Sequence, residues 1–593
     1  MEKHPFSFIA PGACLWLVCL VAVSCASGNG APGDDDTGTD TWTSGDAGTD
    51  SDSDADADAD ADTDADADAD TDSDTGSDSD ADSDGDTDTS CVDNDSDSWC
   101  AGLDCNDSDS AVNPDVEEVP NNGLDDDCDG ETDEATCTDS DCTSPCSPYQ
   151  LGKSYIGCEY YPTVTLNEQL SSSPNQPSLS QVHFAVAVSN TSSDPANVTV
   201  TIGTSTVATQ SVAADSVALI FLPWTDLRAS ISGTVKVADG AYHLVSDRPV
   251  TVYQFNPLEF CIGALCTYTN DASLLLPVNT WGTRYMVASR NTWVFQTANL
   301  PGFYSVVAKE DGTTVTITPS ATGMAIRPGA GLTSNSGNVT LDSGDVLQVL
   351  SGTSAANDLT GTLLVSDKPI QVFGGHDCTY VPANVAACDH LEESMFPIPT
   401  LAKEYIVSPP SLPTMTQPKA FFVRIIAAEG GTTLQYDPPN ASWPTGIANA
   451  GQYVEIDSSV DFKIKADNRI LVSQYMKGMN AGGGSGDPAM ALAVATEQFR
   501  TSYLFHSPVN YTSNYVNIIA PTGSNVTLDG TAVTSFSPVG STGFGISRVL
   551  FPNGGNGNHK VQADAKVGIT VYGYGRYTSY WYPGGLNLDD VIW

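Results

Sequence analysis

From residue 31 to residue 141 the chain has no lysine and no arginine, and over its whole length 22 basic residues face 75 acidic ones, a formal net charge of −53. That shortage excludes nucleic acid as a partner, since no basic stripe exists to neutralise phosphates. After the first 24 residues no apolar run reaches 18 residues, which excludes a membrane-crossing helix in the remainder. Helical periodicity is almost missing, so the body is not α-rich. Histidine is missing from 91–146. Gly482-Gly483-Gly484-Ser485-Gly486 lacks the Lys-Ser/Thr of a phosphate loop and reads as a connector.

What is present starts with Lys3, an apolar run from Phe8 to Val23, and Ala22-Val23-Ser24 before Cys25, a secretory signal over 1–24. The small residues before Cys25 resemble a bacterial lipobox, with Ala22 where Leu is usual. The resemblance implies lipidation of Cys25 and anchoring to the bacterial outer membrane or cell surface through that lipid alone; the alternative is an ordinary cleaved signal. Residues 25–90 follow, with 24 aspartates and Asp at every even position from Asp50 to Asp74. Such a segment has too little apolar surface to offset chain entropy, so it is expected to be a disordered Asp/Ser/Thr/Ala-rich spacer. Its stretched reach is at most roughly 200 Å, at about 3.3 Å per residue.

In 91–146 the aspartates come with cysteines, asparagines and turns. Asp93, Asp95 and Asp97 take the first, third and fifth places of an acidic loop whose twelfth place is Asp104, with Asp107 and Asp109 beside it. Asp125, Asp127 and Asp129 precede Gly130, and Asp133 takes the ninth place of that second loop, though Thr136 breaks its twelfth. Alternating carboxylates on a turning loop can converge on one hard cation, which predicts calcium loops of abbreviated type. Without Cys14, Cys19 and Cys25, twelve cysteines remain as disulfide candidates: Cys91, Cys100, Cys105, Cys128, Cys137, Cys142, Cys146, Cys158, Cys261, Cys266, Cys378 and Cys388. Cys105 with Cys128 and Cys91 with Cys100 are the pairings expected within the module. Asp104-Cys105-Asn106-Asp107, Val112-Asn113-Pro114 and Asn122 to Gly130 resemble the MopE-type metal-binding motif, whose name implies copper. The oxygen-rich donors favour calcium, and copper is the lesser alternative.

Residues 150–593 repeat. Ser246-Asp247-Arg248-Pro249, Ser366-Asp367-Lys368-Pro369, Asp467-Asn468-Arg469 and Asp564-Ala565-Lys566 each open a β-type run, at intervals of 120, 100 and 97 residues. A preceding Asp-Gly or Gly-Gly hairpin recurs as well. About seven short strands per repeat predict an all-β fold of four tandem β-sandwich-like units, 150–277, 278–400, 401–498 and 499–593; a β-propeller is the alternative. Asp271, Asp389 and Asp487 precede Tyr285, Tyr405 and Tyr503 by 14, 16 and 16 residues, and such repeated aspartates read as hydrogen-bond acceptors at turns or strand starts. Cys261 with Cys266 and Cys378 with Cys388 would close short loops at matching positions. His376-Asp377 and Asp389-His390-Leu391-Glu392-Glu393 form the most enzyme-like cluster, a possible metal or acid–base site, but no nucleophile motif accompanies it and no catalytic residue is assigned.

Ser366 to Phe373 with Gly374-Gly375-His376, Cys388-Asp389-His390-Leu391, Ser507 to Tyr511, and Val571 to Tyr574 with Ser579 to Leu588 resemble the IgGFc-binding protein N-terminal domain family. The resemblance implies an extracellular binding module. The expected function is non-enzymatic surface adhesion or recognition of an extracellular glycan or protein ligand, with aromatic loops from Trp581 to Trp593 either presented to glycans or packed on the last sheet. Surface metal binding is the alternative, and a hydrolase using His376 and His390 a third.

Overall fold

The computed structural model describes residues 95, 99, 104–106, 108–113, 116, 124–126, 128, 144–320, 325–412, 418–482, 484–551 and 556–588. The chain divides into two compact units, Met1–Thr89 and Ser90–Trp593, and all described residues belong to the second. The signal, Cys25 and the acidic spacer lie outside them.

The body is four β-sandwiches with one wiring. In the first, Tyr242–Asn256 is long enough to serve both sheets. Its Tyr242–Ser246 half lies between Gly157–Tyr160 and Ala196–Ile202, with Ser205–Val212 at the edge. Its Thr251–Asn256 half lies between Phe184–Asn190 and Asp271–Leu275, with Ser216–Leu222 outside. Leu363–Tyr380 and Asn558–Gly575 do the same in the second and fourth sandwiches. In the third the strand breaks into Phe462–Ala466 and Ile470–Met476, leaving two separate four-stranded sheets. Counting the long strand once, each unit has seven principal strands.

The repeated Ser-Asp-x-Pro pattern sits where the strand leaves one sheet for the other. Pro249 and Pro369, lacking an N–H, fall where no ladder bond is needed. The aspartates there do one job four times: Asp247 accepts the amide of Asn197 at 2.7 Å, Asp367 that of Thr314 at 2.7 Å, Asp467 that of Thr433 at 2.7 Å and Asp564 that of Asn525 at 2.8 Å. The tyrosines also repeat. Tyr405 and Tyr503 donate to the carbonyls of Ile470 and Val567 on their long strands, at 2.9 and 2.6 Å.

The propeller alternative survives in one respect. The inner sheets are set around a common axis, with Asp271–Leu275, Cys388–Ser394, Met490–Leu492 and Thr578–Pro583 innermost; the first and third of these each touch the second and fourth, which closes a ring. Ion pairs cross each junction: Lys236 with Asp345 at 2.9 Å, Arg424 with Asp358 at 2.8 Å, Arg548 with Asp461, and Lys560 with Asp215 at 2.6 Å. The ends of the body meet as well, the Tyr155 amide donating to the Leu586 carbonyl at 3.1 Å.

Disulfides join Cys105–Cys128, Cys146–Cys158, Cys261–Cys266 and Cys378–Cys388. Cys91, Cys100, Cys137 and Cys142 lie outside the described residues. Among the described residues no helix is long and apolar enough to cross a membrane. The presentation of Trp581 to solvent is corrected: Tyr580, Trp581 and Tyr582 are fully buried, and Trp581 packs into the third sandwich against Phe421. An indole with this much apolar surface is stabilised by leaving water, and the neighbouring unit supplies the space.

Candidate functional site

In the Asp-rich module the Cys105–Cys128 disulfide and the bond from the Asn113 amide to the Asp126 carbonyl, 2.9 Å, hold two turns together. Asp104 is buried beneath them. Its Oδ1 accepts the Asn106 amide at 2.7 Å, while Oδ2 has no hydrogen-bond partner. A desolvated carboxylate oxygen without a partner is costly, and a bound cation would compensate it. Asp104, Cys105 and Cys128 offer ligand atoms within 4.8 Å of one another. Both sulfurs belong to a disulfide, so neither is a thiolate and the usable donors are oxygens. Asp95 and Asp125 are half-buried, whereas Asp109 is exposed and accepts the Ala111 amide at 3.2 Å, a local turn contact. Asp93, Asp97, Asp107, Asp127, Asp129 and Asp133 lie outside the described residues.

The histidine–carboxylate cluster splits: His390 stays within electrostatic reach of His376 and Asp377 and beside Glu392, while Asp389 and Glu393 turn away. Along Cys388–Ser394 alternate side chains point to opposite faces. Asp389 and Glu393 turn to the ring axis, whereas His390 and Glu392 turn toward the first sandwich. There Glu392 receives Thr165 Oγ1 at 2.5 Å, Asn256 Nδ2 at 3.1 Å and Gln254 Nε2 at 3.0 Å, with His390 Nε2 at 3.4 Å. Asp377 accepts the Glu168 amide at 2.7 Å, and burial raises its carboxyl to about 7. Burial pushes His376 down to about 3, so its neutral ring donates from Nε2 to the Asn291 carbonyl at 3.1 Å. All these side chains are fully buried.

The axis is where the carboxylates gather. An innermost strand has an edge without a strand neighbour, and every second N–H on it points to the ring centre, where each needs an acceptor. Asp271 accepts four such amides, from Ala272, Glu392, Met490 and Trp581, one per sandwich, at 3.0, 3.2, 3.1 and 3.1 Å. Asp389 serves the layer two residues earlier, accepting Asn270, His390 and Ser579 at 2.8, 3.0 and 2.9 Å. The fourth residue of that layer is Pro488, which has no N–H to satisfy. Glu393 serves the layer two residues later, with Leu274 and Ser394 at 3.2 and 3.1 Å. Burial raises all three carboxyls, and the backbone amides oppose the rise. The expected acceptor role of Asp271 and Asp389 is thus found, on amides contributed by the other sandwiches as well as their own. Their registers differ by two residues, as the spacings of 14 and 16 to the following tyrosine foreshadow. Glu393 had no such signal, because it recurs in no other unit.

A family model for the IgGFc binding protein matches residues 271–573, and the Cu-binding MopE model, a metal-binding motif, matches residues 104–134. No curated protein and no solved structure gives a match. The first match begins at the axial Asp271, runs through the next two sandwiches and ends on the long strand of the fourth, covering half of the chain. On that extent the chain belongs to the IgGFc-binding protein family.

Proposed function

We propose that this is a non-enzymatic recognition protein of the bacterial surface. A lipid on Cys25 holds it to the outer membrane or cell surface, residues 25–90 project it, calcium stiffens the Asp-rich neck, and the ring of sandwiches engages an extracellular glycan or protein ligand. One observation supports this reading above others: the chemistry-bearing side chains of the ring, His376, Asp377, Asp389, His390, Glu392 and Glu393, are buried. They serve as internal acceptors and donors, which makes a rigid scaffold whose outer loops remain for binding. Membership of the IgGFc-binding family favours a protein ligand. Calcium is favoured over copper because the available donors are oxygens and no histidine is near in sequence.

A second reading, a surface metal-handling protein, is favoured by Asp104 Oδ2, buried without a hydrogen bond. The two separate in one experiment. The purified, oxidised full chain is passed over mucin, immunoglobulin, polysaccharide and bacterial-envelope panels, with calcium and with chelator. Retention of a defined partner, weakened by chelator, is the expected outcome. No retention under either condition, together with tight binding of one metal ion, would replace recognition by metal handling.

A further inference from the structure

The connection between the long strand and the axial strand differs among the four sandwiches. In the first and second it is closed covalently, by Cys261–Cys266 and Cys378–Cys388. In the fourth it is a tight hairpin pairing Gly575 with Thr578. In the third it runs from Lys477 to Ala489, contains five glycines and has no cysteine. At its end stands Asp487, fully buried, with Oδ1 accepting the Met479 amide at 3.2 Å and Oδ2 without a hydrogen bond.

Beside it is Lys419, also fully buried, which precedes the strand Phe421–Ala427. Its Nζ donates to the carbonyls of Ser485 at 2.6 Å and Gly486 at 3.3 Å. Gly486 is bonded to Asp487, so amine and acid are one peptide unit apart. The Tyr574 ring covers Nζ, its centroid 5.0 Å away. Asp389 interacts electrostatically with both Lys419 and Asp487.

We propose that Lys419 and Asp487 condense to an intramolecular isopeptide bond, which closes the third sandwich where disulfides close the first two. The reaction requires rotation about the terminal bonds of the lysine, away from the Ser485 and Gly486 carbonyls, to carry Nζ to Asp487 Cγ. The Nζ lone pair forms the N–C bond, the C–OH bond breaks, and the hydroxyl leaves with an amine proton as water. No oxidant or other reactant is needed. Burial lowers the amine and raises the acid, which shifts both groups toward the unprotonated amine and the protonated acid. Those are the forms that condensation requires.

The test is peptide mapping of the purified full chain, denatured and digested with trypsin. The bond predicts a branched peptide in which Glu404–Arg424, uncut after Lys419, is joined to Gly478–Arg500 at one water less than the sum of their masses. K419R gives only linear peptides and serves as the reference. Recovery of only the linear Glu404–Lys419 and Gly478–Arg500 peptides from folded wild-type protein overturns the proposal.

Discussion

His506 is a buried histidine whose ring touches Asn558, Nδ1 lying 3.0 Å from Oδ1, and burial pushes it down to about 4. The unfolded chain therefore takes up a proton near the ordinary histidine value while the folded chain resists until the pH is much lower. Stability held above pH 6.5 is lost as the pH falls toward 4, by roughly 3 kcal/mol at 1.4 kcal/mol per unit. In H506Q that loss is absent, so the stability difference between wild type and variant should shrink between pH 7 and pH 4.5 in urea unfolding. Parallel pH dependence of the two proteins would show that His506 titrates as it does in the unfolded chain. At this scale the sequence was readable wherever a residue acts within its own repeat. Asp247, Asp367, Asp467 and Asp564 recur at the repeat interval and accept amides 34 to 53 positions away. His390 and Glu392 were not readable in this way, because their neighbours Thr165 and Asn256 come from another sandwich and the alternation of the strand separates them from Asp389.

Among elements, the four axial strands differ most from expectation. Ordinary strand reading assigns carboxylates to the solvent face, but Asp271, Asp389 and Glu393 are fully buried. The sequences Asp271–Leu275, Cys388–Ser394, Met490–Leu492 and Thr578–Pro583 share no side-chain pattern, so sequence comparison finds the sandwiches and misses the ring. What the strands share is backbone: each turns its free edge to the centre, and the acceptor is supplied once per layer by whichever strand has it. All four N–H bonds made by Asp271 use it as an acceptor, so D271N sets an amide donor against donors and leaves buried N–H groups unpaired. At about 1–3 kcal/mol for each unsatisfied group, a loss of at least about 3 kcal/mol is expected, read as a lower urea midpoint. An unchanged midpoint would mean that water or another acceptor serves these amides equally well.

At the scale of the molecule the ring has a seam. Three junctions are continuous chain, whereas the fourth joins the segment Lys153–Tyr155 to Leu586–Leu588 through backbone bonds, with Leu586 and Leu588 fully buried and Tyr253 donating to the Gly584 carbonyl at 2.7 Å. Lys560 with Asp215 is a half-exposed ion pair there and contributes little by itself. The seam therefore rests on the last described residues of the chain. Removing 584–593 takes away two buried leucines, at about 1.5–3 kcal/mol each, and the acceptors for Tyr155 and Tyr253. Because the first and fourth sandwiches then lose their mutual support while the second and third keep theirs, unfolding should change from one transition to at least two in calorimetry, with early proteolytic cleavage near the first sandwich. A single transition at the wild-type temperature would show that the axial carboxylates alone hold the ring shut. The N-terminal segment that makes this seam, Lys153–Tyr155, lies inside the loop closed by the Cys146–Cys158 disulfide, so that disulfide braces the one junction that is not continuous chain.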